Sequence, residues 1–237
     1  MTRPSRGLDR EFESLWAHII KLKMKKTILF LIIILLIVGC AKELPKTITY
    51  DEIKLPEPSY ESNTSIEKAL YERMSIRNFK DEALTLKDVS QILWAAQGID
   101  GVTGATRTAP SAGATQPLEV YLIVRKVNGL EPGIYHYNPK KHIVIKRLSK
   151  EIDLDYNAPV YLIITAAYER TTNRYGERGI RYVQMEAGHA AQNVHLQAVS
   201  LGLGTFVIGA FNDNEVKNLL SLEKETPLYV MPIGKIK

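Results

Sequence analysis

Two hydrophobic periods alternate along residues 64–237. Leu86, Val89, Ile92, Leu93 and Ala96 recur at helical spacing. Thr85 stands just before them and Asp88 three residues after it, which predicts a helix opened by a capping box and closed at Gly98. A shorter helix should start at Thr64–Ser65 and carry Ile66, Ala69 and Leu70. LEVYLIV (118–124) and PVYLIITAAY (159–168) are runs of β-branched and aromatic residues, the pattern of buried strands. NGLEPG turns the chain, and IYHY and HIVIKRL read as short strands. A long helix over roughly 178–201, a strand GTFVIGA (204–210), a helix over 213–221 and a strand PLYVMPIG (227–234) complete the pattern. Residues 98–117 form a loop rich in Gly, Thr and Ala. Helices interleave with strands but not as a regular βαβ series, which favours an α+β fold.

The amino-terminal part follows different rules. From Met24 the sequence runs MKKTILFLIIILLIVGC: two lysines, about eleven apolar residues, then Gly39-Cys40. The apolar run is shorter than the roughly 20 residues of a spanning helix. It resembles a bacterial lipoprotein signal over 24–40, with Cys40 as the lipidated residue and the domain held on the extracytoplasmic face of a membrane. A short uncleaved anchor is the alternative. Residues 1–23 do not fit a signal beginning at Met24 and read as an extension or a misplaced start. Residues 41–63 carry Pro45, Pro56 and Pro58 among polar residues, the composition of a tether.

This division changes the meaning of the net charge of +5. Residues 1–40 hold seven Lys/Arg and three Asp/Glu, leaving 24 basic and 23 acidic residues in the remainder. The basic excess belongs to the leader and gives no argument for a nucleic-acid partner. Cys40 is the only cysteine, so a disulfide or a cysteine metal site within the domain is excluded.

The long helix contains EAGHAAQNVHLQAVSLGLGT (186–205), in which Glu186-x-x-His189 is half of a di-iron motif. No second Glu-x-x-His occurs, and His189 and His195 lie about 240° apart around a helix, so a metal site is not expected. Glu186, His189 and Asn193 share one face by spacing. Ala187, Ala190, Ala191, Val194, Ala198 and Leu201 form a small-residue stripe that lets another backbone approach closely, as in a central packed helix.

ERMSIRNF, APSAGATQPLEVYLIV, EAGHAAQNVHLQAVSLGLGT, VIGAF and PLYVMPIGK stand in this order. Together they resemble the FMN-dependent nitroreductase-like family, in the branch related to azoline dehydrogenases, which oxidise thiazolines and oxazolines in peptide natural products. The resemblance covers residues 64–237. It implies an α+β homodimer with a central mixed sheet flanked by helices, the long helix at the interface, and FMN sites built from both chains. Arg73 then matches a position that reaches the flavin phosphate, with Met74 and Ser75 beside it, and Arg77 a cation at the pyrimidine edge. Pro110, Ser111, Ala112 and Ala114 match a segment that touches FMN from the other subunit; many relatives carry Asn where Ala114 stands. Val207, Ile208, Gly209 and Ala210 match a strand end passing the flavin ring, with a backbone N–H near Gly209 directed at the hydride-accepting atom. Lys235 and Lys237 match basic residues that reach the phosphate.

Two departures stand out. Azoline dehydrogenases carry Lys-Tyr before the long helix, whereas this chain has Arg174-Tyr175. Arginine hardly deprotonates and cannot serve as a general base, which leaves Tyr175 as the catalytic candidate. The stretch between Leu148 and Pro159 is also short, which implies a more open pocket. The resemblance implies ping-pong electron transfer from NAD(P)H, or from a membrane quinol outside the cytoplasm, to a small-molecule acceptor of nitro or quinone type. Azoline oxidation and flavin or partner binding without turnover are the alternatives.

Overall fold

The computed structural model describes residues 51–148 and 154–237, together with Trp16, His18 and 21–26. The chain divides into two compact units, Met1–Thr49 and Tyr50–Lys237. In the first, the described residues are helical and exposed. No helix among the described residues is long and apolar enough to cross a membrane. Cys40 and most of the signal-like stretch 24–40 lie outside the described residues, as does 149–153.

The second unit is built on a seven-stranded sheet. Its strands are β1 (Glu52–Lys54), β3 (Leu118–Val124), β5 (Gly133–Asn138), β6 (Ile143–Leu148), β7 (Val160–Ala166), β8 (Leu203–Thr205) and β9 (Thr226–Lys235), in the order β1-β6-β5-β3-β7-β9-β8. All six pairings are antiparallel, so the sheet is not the mixed one expected. The single parallel pair among the described strands joins β2 (Leu84–Thr85) to β4 (Val127–Asn128) in a separate ribbon.

The central strands alternate strictly between two cores. Val120, Leu122, Leu162 and Ile164 join the alanines of the long helix, while Tyr121, Ile123, Tyr161 and Ile163 join Phe206 and Leu220 on the other face. Each such aliphatic side chain contributes about 2 kcal/mol by leaving water. The first face is covered by α2 (Leu86–Gln97) and α4 (Arg178–Ser200). The other is covered partly by α5 (Asp213–Leu220). The Thr85 hydroxyl accepts from Asp88 N at 3.1 Å and Asp88 Oδ2 accepts from Thr85 N at 3.0 Å, the reciprocal cap that the sequence predicts. The two remaining helices are α1 (Ile66–Glu72) and α3 (Glu169–Tyr175).

Two expectations need correction. The stretch 51–63 is no tether: β1 extends the sheet at β6, Leu55 is buried, and Ser59 N donates to Gln91 Oε1 at 2.8 Å while Gln91 Nε2 donates to Ser59 O at 2.9 Å. The strand expected over 204–210 is Leu203–Thr205 with a single further bridge at Ile208. Opposite the gap stands Pro232, which has no N–H to give and whose carbonyl accepts from the Thr205 hydroxyl at 2.8 Å.

Candidate active site

The site begins where α1 stops. Arg73 caps the helix, its N–H donating to Ala69 O at 3.0 Å, and turns the chain into extended conformation (φ −58°, ψ 116°). The extended segment is then pinned across the ends of β8 and β9. Ile76 N donates to Thr205 O at 3.0 Å, Phe79 bridges Ile236, and Lys80 N donates to Lys235 O at 2.9 Å. A side chain at Gly204 would lie 2.6 Å from Ile76 Cγ2, so the bare backbone there lets the segment seat. Phe79 is buried while Met74, Ser75 and Arg77 stay exposed and Arg73 half-buried. No carboxylate among the described residues pairs with Arg73 or Arg77. Two uncompensated cations with a hydroxyl beside them suit an anion.

Arg77 lies over the Phe206 ring, 4.8 Å from its centroid, which places it beside the following residues. Ile208 exchanges both backbone hydrogen bonds with Val230, at 2.9 and 3.0 Å, and Gly209 and Ala210 then run exposed. Thus Arg73, Met74, Ser75, Arg77, Val207, Ile208, Gly209 and Ala210 form one neighbourhood. The Lys235 ammonium donates to Glu82 at 2.8 Å in an exposed ion pair. Lys237 lies next to Asn78 through a backbone contact of 3.4 Å.

A second neighbourhood gathers around Pro110, Ser111, Ala112 and Ala114. Gly113, Ala114 and Gln116 adopt left-handed φ of 58°, 54° and 48°. For a non-glycine residue this conformation costs about 1–3 kcal/mol, and such strain concentrates at functional loops. Asparagine tolerates this conformation better than alanine, so Ala114 holds a backbone shape unusual for its residue type. Arg174 and Tyr175, at the end of α3, press on this loop. Arg174 Nη1 donates to Gly113 O at 3.0 Å, and a side chain at Gly113 would meet both Arg174 and the Tyr175 hydroxyl. Arg174 is therefore a clamp on the loop backbone, and Tyr175 is the residue that brings a proton-bearing group to it. Ser111 Oγ closes the loop by accepting from Gln116 N at 2.9 Å.

The nitroreductase family model matches residues 70–235. The chain belongs to the nitroreductase family. It is 46% identical over 195 residues to the Methanocaldococcus jannaschii protein named "Putative nitroreductase MJ1384", covering 78% of this chain and 96% of that one. It is 28% identical over 181 residues to the microcin B17-processing protein McbC of Escherichia coli, covering 67% of this chain and 65% of that one. Among solved structures, a "putative nitroreductase" from Ralstonia eutropha JMP134 superposes with a TM-score of 0.70 at 29% identity, covering 78% of this chain and 90% of that one. Membership makes this an oxidoreductase-type chain with a nitroreductase-like α+β fold.

Within this nitroreductase-family fold, α4 passes both neighbourhoods. Glu186 lies beside Ser111, and His195 feels the charge of Arg73. They stand nine positions apart on the helix, about 14 Å along the axis. The structure thus brings the predicted residues together as two groups, not one. The face shared by spacing also splits: Glu186 is buried, His189 exposed, and Asn193 half-buried with its amide donating to Thr108 O at 3.3 Å. His195 is buried, and burial before the charge of Arg73 lowers its pKa, which holds it neutral.

Glu186 stands out as a buried titratable group beside Ser111, a feature that spacing along the helix does not reveal. Burial pushes its carboxyl up to about 7 from an ordinary 4.5, against smaller opposing effects of Ser111 and Arg107, and its Oε1 has no partner. A carboxyl whose folded pKa is raised holds its proton more tightly in the folded state. Its contribution to stability is present below about pH 4.5 and lost as pH rises through about 7. Glu186→Gln should remove that loss. In urea unfolding at pH 5 and pH 8, the wild type should lose up to about 3 kcal/mol more than the variant between the two. Equal losses would mean that Glu186 is ionised throughout.

Proposed function

We propose that this chain is an FMN-dependent oxidoreductase whose two copies together complete each flavin site. The observation that carries this reading is the separation of the expected flavin contacts into two groups along α4. A second copy would bring the Pro110–Ala114 loop of one chain to the Arg73–Arg77 segment of the other.

The residues suit this cofactor. Arg73 and Ser75 offer charge and a hydroxyl to a phosphate, Arg77 a second cation, and Gly209 an exposed backbone. A Cβ placed at Gly209 would approach only Tyr229 Cε1, at 3.9 Å, so a flat ring has room there. Lys237 lies close to the same segment, whereas Lys235 would first have to leave Glu82. FMN would supply the redox chemistry, accepting a hydride from a donor such as NAD(P)H and returning electrons to a small acceptor of nitro or quinone type in a ping-pong cycle. The protein's part is to hold the phosphate, set the charge at the ring edge, fix the loop through Arg174 and present the Tyr175 hydroxyl as a proton donor.

Absorption spectroscopy of the purified protein tests the proposal. A flavin spectrum that bleaches with NADH, NADPH or a quinol and recovers on adding a nitroaromatic or quinone is the expected result. Failure to take up FMN at micromolar concentration would overturn the cofactor. A flavin-loaded monomer in light scattering would overturn the two-chain site.

We also propose that Cys40 carries a lipid that holds the domain on the extracytoplasmic face. The lipobox-like Ile37-Val38-Gly39-Cys40 supports this. Mass spectrometry of membrane-extracted protein should find a diacylglyceryl-cysteine at the amino terminus. An unmodified terminus upstream of Met24 would sink both the anchor and the start at Met24.

A further inference from the structure

A cavity of about 380 Å³ opens between the end of α2, the start of β3, the β5–β6 turn and the start of α3. It shares no residue with the groups proposed to hold the flavin. Its size lies at the lower end of the range for small-molecule sites. Gln97 lines it at 2% exposure, and neither Oε1 nor Nε2 of its amide has a partner. Arg107 lines it too, with Nη1 buried and unpartnered. Leaving a buried polar group unpaired is costly, so these atoms are suited to a partner that the chain does not supply.

The other polar walls are already engaged. Glu119, the acid nearest to hand, is bound by His136 Nε2 at 2.8 Å and Arg170 Nη2 at 2.6 Å. Arg170 also donates to Gln116 O at 3.0 Å. The charge of Glu119 is thus matched by Arg170, and Arg107 remains the excess cation, with Lys140 at the exposed rim adding another. Glu119 first and Glu186 more weakly reach Arg107 electrostatically, but neither forms an ion pair with it among the described residues. A guanidinium fork selects a planar oxyanion, above all a carboxylate. An amide side chain with donor and acceptor both free selects another amide, which can answer both atoms at once.

We propose that this cavity binds a small organic carboxylate with a neighbouring amide, the carboxylate on Arg107 and the amide paired with Gln97. N-acetylglycine is the simplest probe. Calorimetric titration of the full chain should give one saturable site, with acetate and N-methylacetamide each binding at least tenfold more weakly. Gln97→Met and Arg107→Met should each weaken N-acetylglycine at least tenfold. Absence of heat at millimolar probe, unchanged binding in both variants, or equal affinity for inorganic phosphate would each overturn the assignment. A crystal structure of the wild-type protein grown with N-acetylglycine decides the matter without any variant. Density for the probe between Gln97 and Arg107 is the expected result, and water alone there overturns it.

Discussion

Arg73→Ala should lower the affinity for FMN by a factor on the order of ten to a hundred. Arg73 sits at the junction of α1 and the extended segment, its backbone fixed by the cap to Ala69 and its side chain matched by no carboxylate among the described residues. A charge-assisted contact of this type contributes about 1.5–3 kcal/mol, which sets the expected factor. Arg77→Ala should behave differently. Arg77 rests on the Phe206 ring beside the Val207–Ala210 stretch, so its removal should spare binding more than potential. The anionic reduced flavin would lose a cation, and the midpoint potential should fall. Fluorescence titration of apoprotein reads the first effect and equilibration with reference dyes the second. Wild-type values in both variants would show that this segment does not touch the cofactor.

Ala190→Arg should abolish cooperative folding of the domain. Ala187, Ala190, Ala191, Val194 and Ala198 are each no more than 4% exposed within a single chain, packed in the core with α2 and the sheet. Insertion of an arginine there buries a charge without a partner and overfills the core, at a cost of several kcal/mol. Thermal unfolding by circular dichroism should lose its sharp transition. A variant with a wild-type melting curve would mean that the stripe faces outward and is free to meet a second chain. The small-residue stripe is therefore evidence for packing within the chain, and any contact between copies has to use other surfaces of α4.

The sequence was legible at some elements and not at others. Caps and continuous apolar runs specify their elements locally: Thr85 with Asp88 opens α2, and the apolar runs mark β3 and β7. Strand order is a long-range property, and periodicity carries no record of it, so the antiparallel sheet was not foreseen. β1 went unseen because Glu52 and Lys54 are polar edge residues, and α3 because ERTTNRY has only Thr171 buried. The order of the family motifs was legible in the sequence, and the structure sets their residues in two neighbourhoods. The engagement of Lys235 by Glu82 was not, since 153 residues separate the pair. Nor was the burial of Glu186, which depends on the 110–116 loop folding against one side of α4. Spacing alone gave Glu186 and His189 the same standing.

The short strand β1 also bears on how the protein can be handled. Its three residues cover the outer rim of β6 at Ile143, Val144 and Ile145, an apolar stretch whose backbone would otherwise face solvent. A truncated version starting at residue 64, where composition places the start of the domain, would strip that cover and the plug supplied by Leu55. The bared rim would then be a template for pairing between molecules, and the preparation would be expected to aggregate.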